Sequence, residues 1–303
     1  MAYIEVDSKK IYIEEYGKEN NHTIIYFHGG PGASCLDFVN QAKALGKKYH
    51  VISFDQYGVM RSDAISENEP FGMTEHIKLI DKMREIFGVS SWTIIGHSYG
   101  GMLACLYARA YPEKTMAVIY DCPSWDFVLS AKSIASFFVP YFRKINSEEG
   151  LNKCHKIIDK DFINRSEVFG DLMPVLTMIK DQKERNYLHG ISFEEYQVYL
   201  KQDNILENDW KKGNVHFQKL VDAGEIFNDY LPYIKELRQP SLLLAGKYDP
   251  ACGKEQRDYF KQFSLKGTIV EFQNSGHFPR IEEAQAYTNA VIDFMDNFAV
   301  QAL

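Results

Sequence analysis

The sequence predicts an α/β fold with a mostly parallel central sheet. Short apolar runs of strand length, among them residues 23–27, 51–54 and 93–95, alternate with longer segments of helical pattern. A run that is apolar throughout indicates a strand buried on both faces, which is typical of parallel sheets. The alternation favours the same class, because parallel neighbours need a crossover connection that is usually a helix.

The predicted strands follow one another along the chain. Residues 3–6 and 10–16 alternate with a period of two around the turn pair Asp7-Ser8, which predicts an N-terminal β-hairpin. Buried strands are then predicted at residues 23–27, 51–54, 93–95, 116–120, 241–245 and 268–272. Each of these runs ends in a turn that contains glycine or aspartate, so polar residues gather where the strands end.

Helices are predicted between the strands. Residues 36–47 have the length and composition of a helix, and residues 102–111 are rich in helix formers up to Pro112. Thr74 is predicted to cap a helix with apolar residues at helical spacing. Residues 281–298 predict a closing amphipathic helix.

A helical insertion interrupts the alternation after residues 116–120. No convincing buried strand is found from about residue 124 to residue 233, where apolar residues such as Phe127, Ala131 and Ile134 stand at helical spacing. We therefore predict a core formed by residues 1–123 and 238–303, with residues 124–237 inserted as a helical cap.

Composition narrows the classes of partner. The 303-residue chain has a net charge of −7, which disfavours binding to nucleic acid. Its five cysteines are odd in number and irregularly spaced, as expected of reduced thiols. The N-terminus lacks the pattern of a signal peptide, and no apolar run approaches the length of a membrane helix. We expect a soluble cytoplasmic protein, either a monomer or a small homo-oligomer, with no nucleic-acid or membrane partner.

A G-x-S-x-G motif at residues 96–100 predicts the nucleophile. The motif alone is weakly specific, but here a predicted strand precedes it and a helix follows. That context forces a tight turn and presents the Ser98 hydroxyl at the carboxyl edge of the sheet. The dipole of the following helix favours negative charge at this point.

A serine hydroxyl needs a base, and the base needs an orienting acceptor. His277 lies in the loop after the last predicted strand, and Asp249 follows the strand before it. The chain order Ser98, Asp249, His277 is the one found in hydrolases with this serine motif. Asp121, after residues 116–120, is the alternative orienting acid.

Two backbone N–H groups are needed to stabilise the oxyanion of a tetrahedral intermediate. The residue after the nucleophile, Tyr99, is predicted to supply one. Gly30, in the loop HGGPG after residues 23–27, is predicted to supply the other. The alternative interpretation of this loop is a simple glycine turn.

Three segments together resemble the proline iminopeptidase family of the α/β-hydrolase superfamily: HGGPG, DQYGVMRSD and GHSYGG. The resemblance to the superfamily extends along nearly the whole chain. It implies release of an N-terminal residue, often proline, from short peptides, and a helical cap over the site. The residues that carry over are Ser98, Asp249, His277, Gly30 and Tyr99, and no cofactor or metal is expected.

The sequence departs from this family at two places. Tyr57 and Met60 stand where the family usually has arginine and glycine, and Pro250 stands where some members have a glutamate that helps bind the substrate amine. A buried ammonium needs a paired carboxylate. Candidates in the insertion are Glu194, Glu195 and Glu207, whose alternative interpretation is exposed acids on helix surfaces.

Other polar residues have structural interpretations. Asp55 and Arg61 form either a buried pair behind the site or part of a surface turn. His28 is expected to make loop contacts, and His97 is expected to point into packing. The histidines show no spacing typical of a metal site.

Three functions remain open. The first is an iminopeptidase or related aminopeptidase that acts on small peptides through an acyl-enzyme. The second is a carboxylesterase or lactonase that acts on small esters. The third is a non-catalytic receptor, which the complete set of catalytic residues disfavours.

Overall fold

The computed structural model describes residues 2–179, 187–200, 205 and 207–301. Within them, one eight-stranded sheet has the order β1-β2-β4-β3-β5-β6-β7-β8. The strands are β1 (Ala2–Val6), β2 (Lys9–Tyr16), β3 (Thr23–Phe27), β4 (His50–Phe54), β5 (Trp92–His97), β6 (Thr115–Asp121), β7 (Ser241–Gly246) and β8 (Gly267–Phe272). The predicted α/β class is confirmed.

The sheet is parallel from β4 to β8, and the predicted hairpin adds its antiparallel edge. β1 pairs antiparallel with β2, which pairs antiparallel with β4, and every other neighbouring pair is parallel. All residues of β3, β4, β5 and β7 are buried, as their apolar sequences predict. β8 differs because it is the outermost strand, and most of its residues are exposed.

Helices flank the sheet on both faces. They are α1 (Val39–Leu45), α2 (Met73–Ile86), α3 (Tyr99–Ala110), α4 (Phe127–Lys144), α5 (Glu148–Asp159), α6 (Glu167–Met178), α7 (Phe193–Leu200), α8 (Glu207–Ala223), α9 (Leu231–Ile234), α10 (Lys254–Phe263), α11 (Pro279–Glu282) and α12 (Ala284–Gln301). None of the described helices is both long and apolar enough to cross a lipid bilayer.

Successive side chains of a strand point to opposite faces of the sheet, so one strand contributes side chains to two hydrophobic clusters. Ile25 and Phe27 of β3 belong to the larger hydrophobic cluster, which also contains residues of α2, α3 and α4. Ile24 and Tyr26 belong to the second cluster, which contains residues of α1 and α12.

Helix starts differ from the predictions where distant residues provide the caps. The N-cap of α2 is Gly72, so the prediction of Thr74 as the cap is wrong. Thr74 instead lies in the first turn, where its backbone N–H donates to Glu225 Oε2 at 3.0 Å and its hydroxyl donates to Glu225 Oε1. A carboxylate from the far end of the insertion therefore satisfies this helix terminus.

The described residues between β6 and β7 form helices α4 to α9 and add no strand to the sheet. The two ends of this segment meet, since Asp126 forms an isolated β-bridge with Asp229 and Tyr230 N–H donates to the Trp125 carbonyl at 3.1 Å. The segment therefore leaves the sheet and returns to it at one place.

Candidate active site

Ser98 occupies the sharp turn between β5 and α3. Its φ of 53° and ψ of −118° lie outside the regions that L-residues normally occupy. Such a conformation costs about 1–3 kcal/mol and persists only where the surroundings enforce it. Here the Ser98 N–H donates to the Asp121 carbonyl at 3.0 Å, and its own carbonyl accepts from the N–H groups of Gly101 and Ser124. Ser98 remains partly exposed, whereas both of its neighbours are buried.

His277 and Asp249 are brought together by the loops after β8 and β7. The His277 Nδ1 atom lies 2.8 Å from Asp249 Oδ1, and both residues are buried. Asp249 Oδ1 also accepts the backbone N–H of Ala251 at 2.8 Å. This pairing directs the other ring nitrogen, Nε2, away from the carboxylate.

Ser98 and His277 line the same cavity. Among the residues that the structure describes, no hydrogen bond joins the Ser98 hydroxyl to the His277 ring. Catalytic hydrogen bonds are often long without substrate and shorten in the complex. The arrangement can therefore support proton transfer once the serine attacks a carbonyl group.

The alternative orienting acid, Asp121, is engaged elsewhere. Its Oδ2 atom accepts Nη1 of Arg280 at 3.0 Å, and it makes no hydrogen bond to the His277 ring within the described chain. Burial raises the pKa of Asp121 to about 6, although the Arg280 charge opposes that rise. The geometry therefore favours Asp249 as the partner of His277.

The glycine loop carries Gly30 to the cavity in a backbone conformation of positive φ, 115°. His28 anchors the start of the loop: its ring Nδ1 lies 2.9 Å from the Gly29 carbonyl, and its Nε2 accepts the Gln56 N–H at 3.1 Å. Because Nε2 is an acceptor, Nδ1 carries the proton. Burial lowers the pKa of His28, which favours this neutral form.

The loop also touches the insertion backbone to backbone. A Cβ on Gly32 would stand 2.4 Å from the Gly213 carbonyl oxygen, and a Cβ on Gly213 would stand 2.3 Å from that of Gly32. Gly213 belongs to α8, so this helix rests directly on the loop that presents Gly30.

Asp55 and Arg61 form a buried pair, as one of the two interpretations predicted. Arg61 Nε lies 2.6 Å from Asp55 Oδ2, and Nη2 lies 3.0 Å from Oδ1. Asp55 Oδ1 also accepts the Ser34 hydroxyl at 2.6 Å, next to the glycine loop. Burial alone would raise the pKa of Asp55, but the Arg61 hydrogen bonds and charge outweigh it and lower that pKa.

His97 packs as predicted, and it also reaches the cavity. Its Nδ1 lies 3.0 Å from the Asp121 carbonyl, and its ring centre lies 4.7 Å from that of His277. The ring also contacts the glycine loop, where a Cβ on Gly29 would come within 2.8 Å of its Cδ2. His97 thus fills the space between the base and the loop.

The cavity has a volume of about 420 Å³ and a mostly apolar lining. Most of the apolar side chains come from the insertion: Phe127, Ile134, Phe169, Leu172, Met173, Leu176, Phe217 and Ile226. Asp37 is the one carboxylate among the described lining residues, and it pairs with Arg280. Neither Asp37 nor Arg280 belongs to a motif that marks it in the sequence.

The three acids proposed to bind an amine have different surroundings. Glu194 and Glu195 lie on α7, are exposed, and do not line the cavity. Glu195 forms a capping box, in which its Oε2 accepts the Ser192 N–H at 2.7 Å and its own N–H donates to the Ser192 hydroxyl at 3.1 Å. Hydrogen bonds from Ser192 to the carboxylate lower the pKa of Glu195. Glu207 begins α8, and its side chain lies outside the described part of the chain.

One group of potential metal ligands overlaps the site. Atoms of Cys122, Asp249 and His277 all lie within 4.8 Å of one another. Asp249 and His277 are already hydrogen-bonded to each other, and burial raises the pKa of the Cys122 thiol. A neutral thiol is a poor metal ligand.

Comparison with known families agrees with this fold and motif order. The family model described as "alpha/beta hydrolase fold" matches residues 22–284. The chain belongs to the α/β-hydrolase family. The sheet order, the serine turn after β5 and the positions of Asp249 and His277 after β7 and β8 all fit this hydrolase assignment.

Two relatives resemble the hydrolase along almost its full length. A proline iminopeptidase of Heyndrickxia coagulans is 26% identical over 98% of both chains. A proline iminopeptidase of Saccharolobus solfataricus is 25% identical over 97% of this chain and 92% of its own. These matches confirm the resemblance predicted from the three motifs.

A solved structure of a different activity is also similar. The enol-lactonase from Burkholderia xenovorans LB400 superposes with a TM-score of 0.69 at 17% identity, covering 97% of this chain and 100% of its own. At this identity the likeness concerns the fold alone.

Proposed function

We propose that the chain is a serine hydrolase that acts through an acyl-enzyme. The observation that carries this proposal is the 2.8 Å contact between His277 Nδ1 and Asp249 Oδ1 beside the cavity that Ser98 also lines. In the proposed mechanism, the Ser98 Oγ attacks the substrate carbonyl while His277 Nε2 accepts its proton. Asp249 holds the ring and stabilises the imidazolium that forms.

The developing oxyanion accepts hydrogen bonds from the N–H groups of Gly30 and Tyr99. Collapse of the tetrahedral intermediate breaks the bond to the leaving group, which takes a proton from His277. Water, deprotonated by His277, then attacks the acyl carbon. The bond between Ser98 Oγ and that carbon breaks, His277 returns the proton to Ser98 Oγ, and the acid is released. Each oxyanion donor typically contributes about 3 kcal/mol to lowering the barrier.

The first substrate candidate is the N-terminal residue of a short peptide, often proline. The similarity to two proline iminopeptidases over nearly the whole chain supports it. The apolar lining from the insertion suits a prolyl ring. The substrate ammonium would still need a carboxylate, and Glu207 is the acid that we propose, since Glu194 and Glu195 lie outside the cavity lining.

The second candidate is a small ester or lactone. The apolar lining favours it, because the one described carboxylate there is neutralised by Arg280. Pro250 also replaces the glutamate that binds the amine in some iminopeptidases. An ester with an apolar acyl group would need no buried counter-charge.

One comparison of substrates separates the candidates. Hydrolysis of Pro-, Ala- and Leu-p-nitroanilide is measured beside short-chain p-nitrophenyl esters, with Ser98→Ala as the inactive control. Hydrolysis of the anilides supports the peptidase, whereas hydrolysis of esters alone contradicts it. Glu207→Gln should then reduce turnover of the anilides and leave that of the esters unchanged.

Covalent labelling tests the catalytic proposal apart from the substrate. A fluorophosphonate probe should label the wild-type chain and fail to label Ser98→Ala. Failure to label the wild type would instead favour the non-catalytic receptor.

The five buried and unpaired thiols support a reducing, cytoplasmic location for the enzyme.

A further inference from the structure

A buried arginine stands three residues after the proposed base. Arg280 is fully buried on α11, and its Nη1 donates to Asp121 Oδ2 at 3.0 Å. Its Nη2 donates to Asp37 Oδ2. The guanidinium also lies 5.0 Å from the ring centre of Phe278, which directly follows His277 and lines the cavity.

Both carboxylates of this cluster belong to segments that carry other catalytic groups. Asp121 ends β6, and its backbone carbonyl accepts the N–H of Ser98 at 3.0 Å. Asp37 lies on a short 3-10 helix that follows the glycine loop containing Gly30. One guanidinium therefore connects the segments of the base, the nucleophile and the oxyanion donor.

Two tyrosine hydroxyl groups complete the cluster. The Tyr287 hydroxyl lies 3.4 Å from Asp121 Oδ2, and the Tyr26 hydroxyl lies 3.5 Å from Asp37 Oδ1. Both distances are long for hydrogen bonds between oxygens, so these contacts are weak. The guanidinium provides the strong, charge-assisted contacts.

Removing the guanidinium would leave two buried carboxylates without a counter-charge. A buried charge that loses its partner is strongly unfavourable, so the cluster would rearrange or take up a proton. Burial already raises the pKa of Asp121 to about 6 while Arg280 opposes that rise. Either response would disturb the segment whose carbonyl holds the Ser98 N–H.

We propose that Arg280 is a positioning residue, which holds the His277 segment in register with the segments of Ser98 and Gly30 through Asp121 and Asp37. This inference rests on the catalytic roles proposed above for Ser98 and His277. Arg280 touches no reacting atom. It keeps Ser98, His277 and Gly30 in positions from which all three can act on one substrate carbonyl.

The test uses Arg280→Lys and Arg280→Met in the full chain. Saturation kinetics of fluorophosphonate labelling separate the limiting labelling rate from the half-saturating probe concentration. We expect the limiting rate of Arg280→Met to fall about 100-fold, the loss typical of a misplacement near 1 Å, with an unchanged half-saturating concentration. Arg280→Lys keeps the charge but lacks the planar fork that reaches two carboxylates, so an intermediate loss is expected.

Arg84 provides a matched control for a purely structural role. It is also a buried arginine, with Nε 2.8 Å from Asp81 Oδ1 and Nη1 2.6 Å from the Val89 carbonyl, but it does not line the cavity. Arg84→Met should lower the melting temperature and leave the labelling kinetics of the folded protein unchanged.

The outcomes separate this inference from the proposed function. Wild-type protein that does not label at Ser98 would contradict the proposed function. Wild-type protein that labels normally, with Arg280→Met within twofold of its rate, would overturn the positioning role alone. The same holds if Arg280→Met loses labelling only in proportion to its unfolded fraction, as measured by thermal unfolding.

Discussion

A single oxygen of Asp249, Oδ1, is hydrogen-bonded to both His277 Nδ1 and the Ala251 N–H. An amide at this position can present its NH₂ group to the ring, which would place the ring proton on the nitrogen that must receive the Ser98 proton. We expect Asp249→Asn to lower kcat about 10⁴-fold with little change in folding. Steady-state kinetics on the substrate found active above measures this effect, and a loss below about tenfold would contradict the assigned role.

Gly100 permits the close approach of the serine turn to the neighbouring strand. A Cβ there would stand 2.1 Å from the Phe27 carbonyl oxygen, so the backbone would have to move. We expect Gly100→Ala to destabilise the fold by about 1–3 kcal/mol and to reduce labelling of Ser98.

The control for this glycine is Gly170 on α6, where an added Cβ meets no atom within 4 Å. Gly170→Ala should stabilise the protein by about 0.5–1 kcal/mol, because alanine loses less backbone entropy in a helix. Urea denaturation of both variants measures the difference. Equal effects at the two glycines would show that close packing at the turn is unimportant.

At the scale of elements, α2 depends on a residue from the insertion. Glu225 accepts both the N–H and the hydroxyl of Thr74 in the first turn of that helix. We expect Glu225→Ala to cost about 1 kcal/mol of unfolding free energy, the usual value of a helix cap, and Glu225→Gln to cost less.

Glu236 is the control for a surface carboxylate, since its partner Arg109 is about as exposed as it is. Glu236→Ala should cost little, because exposed ion pairs add at most about 1 kcal/mol. If Glu225→Ala behaves like Glu236→Ala in urea denaturation, the capping contact does not stabilise α2.

The same helix explains which elements can be predicted from the sequence. Strands such as β3 and β7 are predictable because burial on both faces leaves a continuous apolar run. The start of α2 is not, because the Thr74 N–H in its first turn is satisfied by Glu225, which no local spacing connects to Thr74. The N-cap is Gly72, which has no side chain to cap the helix and so marks its start less clearly than Ser, Thr, Asp or Asn would.

At the scale of the whole molecule, buried histidines connect the insertion to the core. His216 of α8 packs against His76 of α2 with ring centres 5.7 Å apart, and its Nδ1 lies 2.8 Å from the Tyr57 carbonyl. Burial lowers the pKa of His216 from 6.5 to about 3 and that of His76 well below 6.5. Both rings are therefore neutral in the folded protein at neutral pH.

These histidines predict a loss of stability in mild acid. Between about pH 6.5 and pH 3 the unfolded chain protonates His216 and the folded chain does not, so unfolding becomes easier as the pH falls, by about 1.4 kcal/mol per pH unit. His216→Asn keeps a donor for the Tyr57 carbonyl and does not titrate. Its unfolding free energy relative to wild type should rise by about 2 kcal/mol between pH 7 and pH 5.

Urea denaturation at the two pH values measures this difference. His22→Asn, at an exposed histidine, is the matched control and should follow the wild type. If His216→Asn shows the same pH dependence as His22→Asn, the buried ring does not contribute to acid sensitivity.

The site residues that could be predicted from the sequence are those that follow strands. Ser98, Asp249 and His277 each follow a strand of the parallel part of the sheet, and parallel strands bring their carboxyl ends to one edge. Arg280 and Asp37 were missed because their contact joins residues far apart in the sequence, and neither belongs to a recognisable motif. Glu194 and Glu195 of α7 were suitable by composition, yet neither lines the cavity, to which their helix contributes Tyr196.

The backbone contact between Gly32 and Gly213 couples the position of the insertion to that of the glycine loop. Because no side chain lies between these two backbones, a displacement of one is transmitted directly to the other. Tilting α8 to admit or release a molecule must therefore shift the peptide units around Gly30. In the proposed mechanism Gly30 supplies an oxyanion donor, so we expect such a tilt of α8 to change the stabilisation of the intermediate as well.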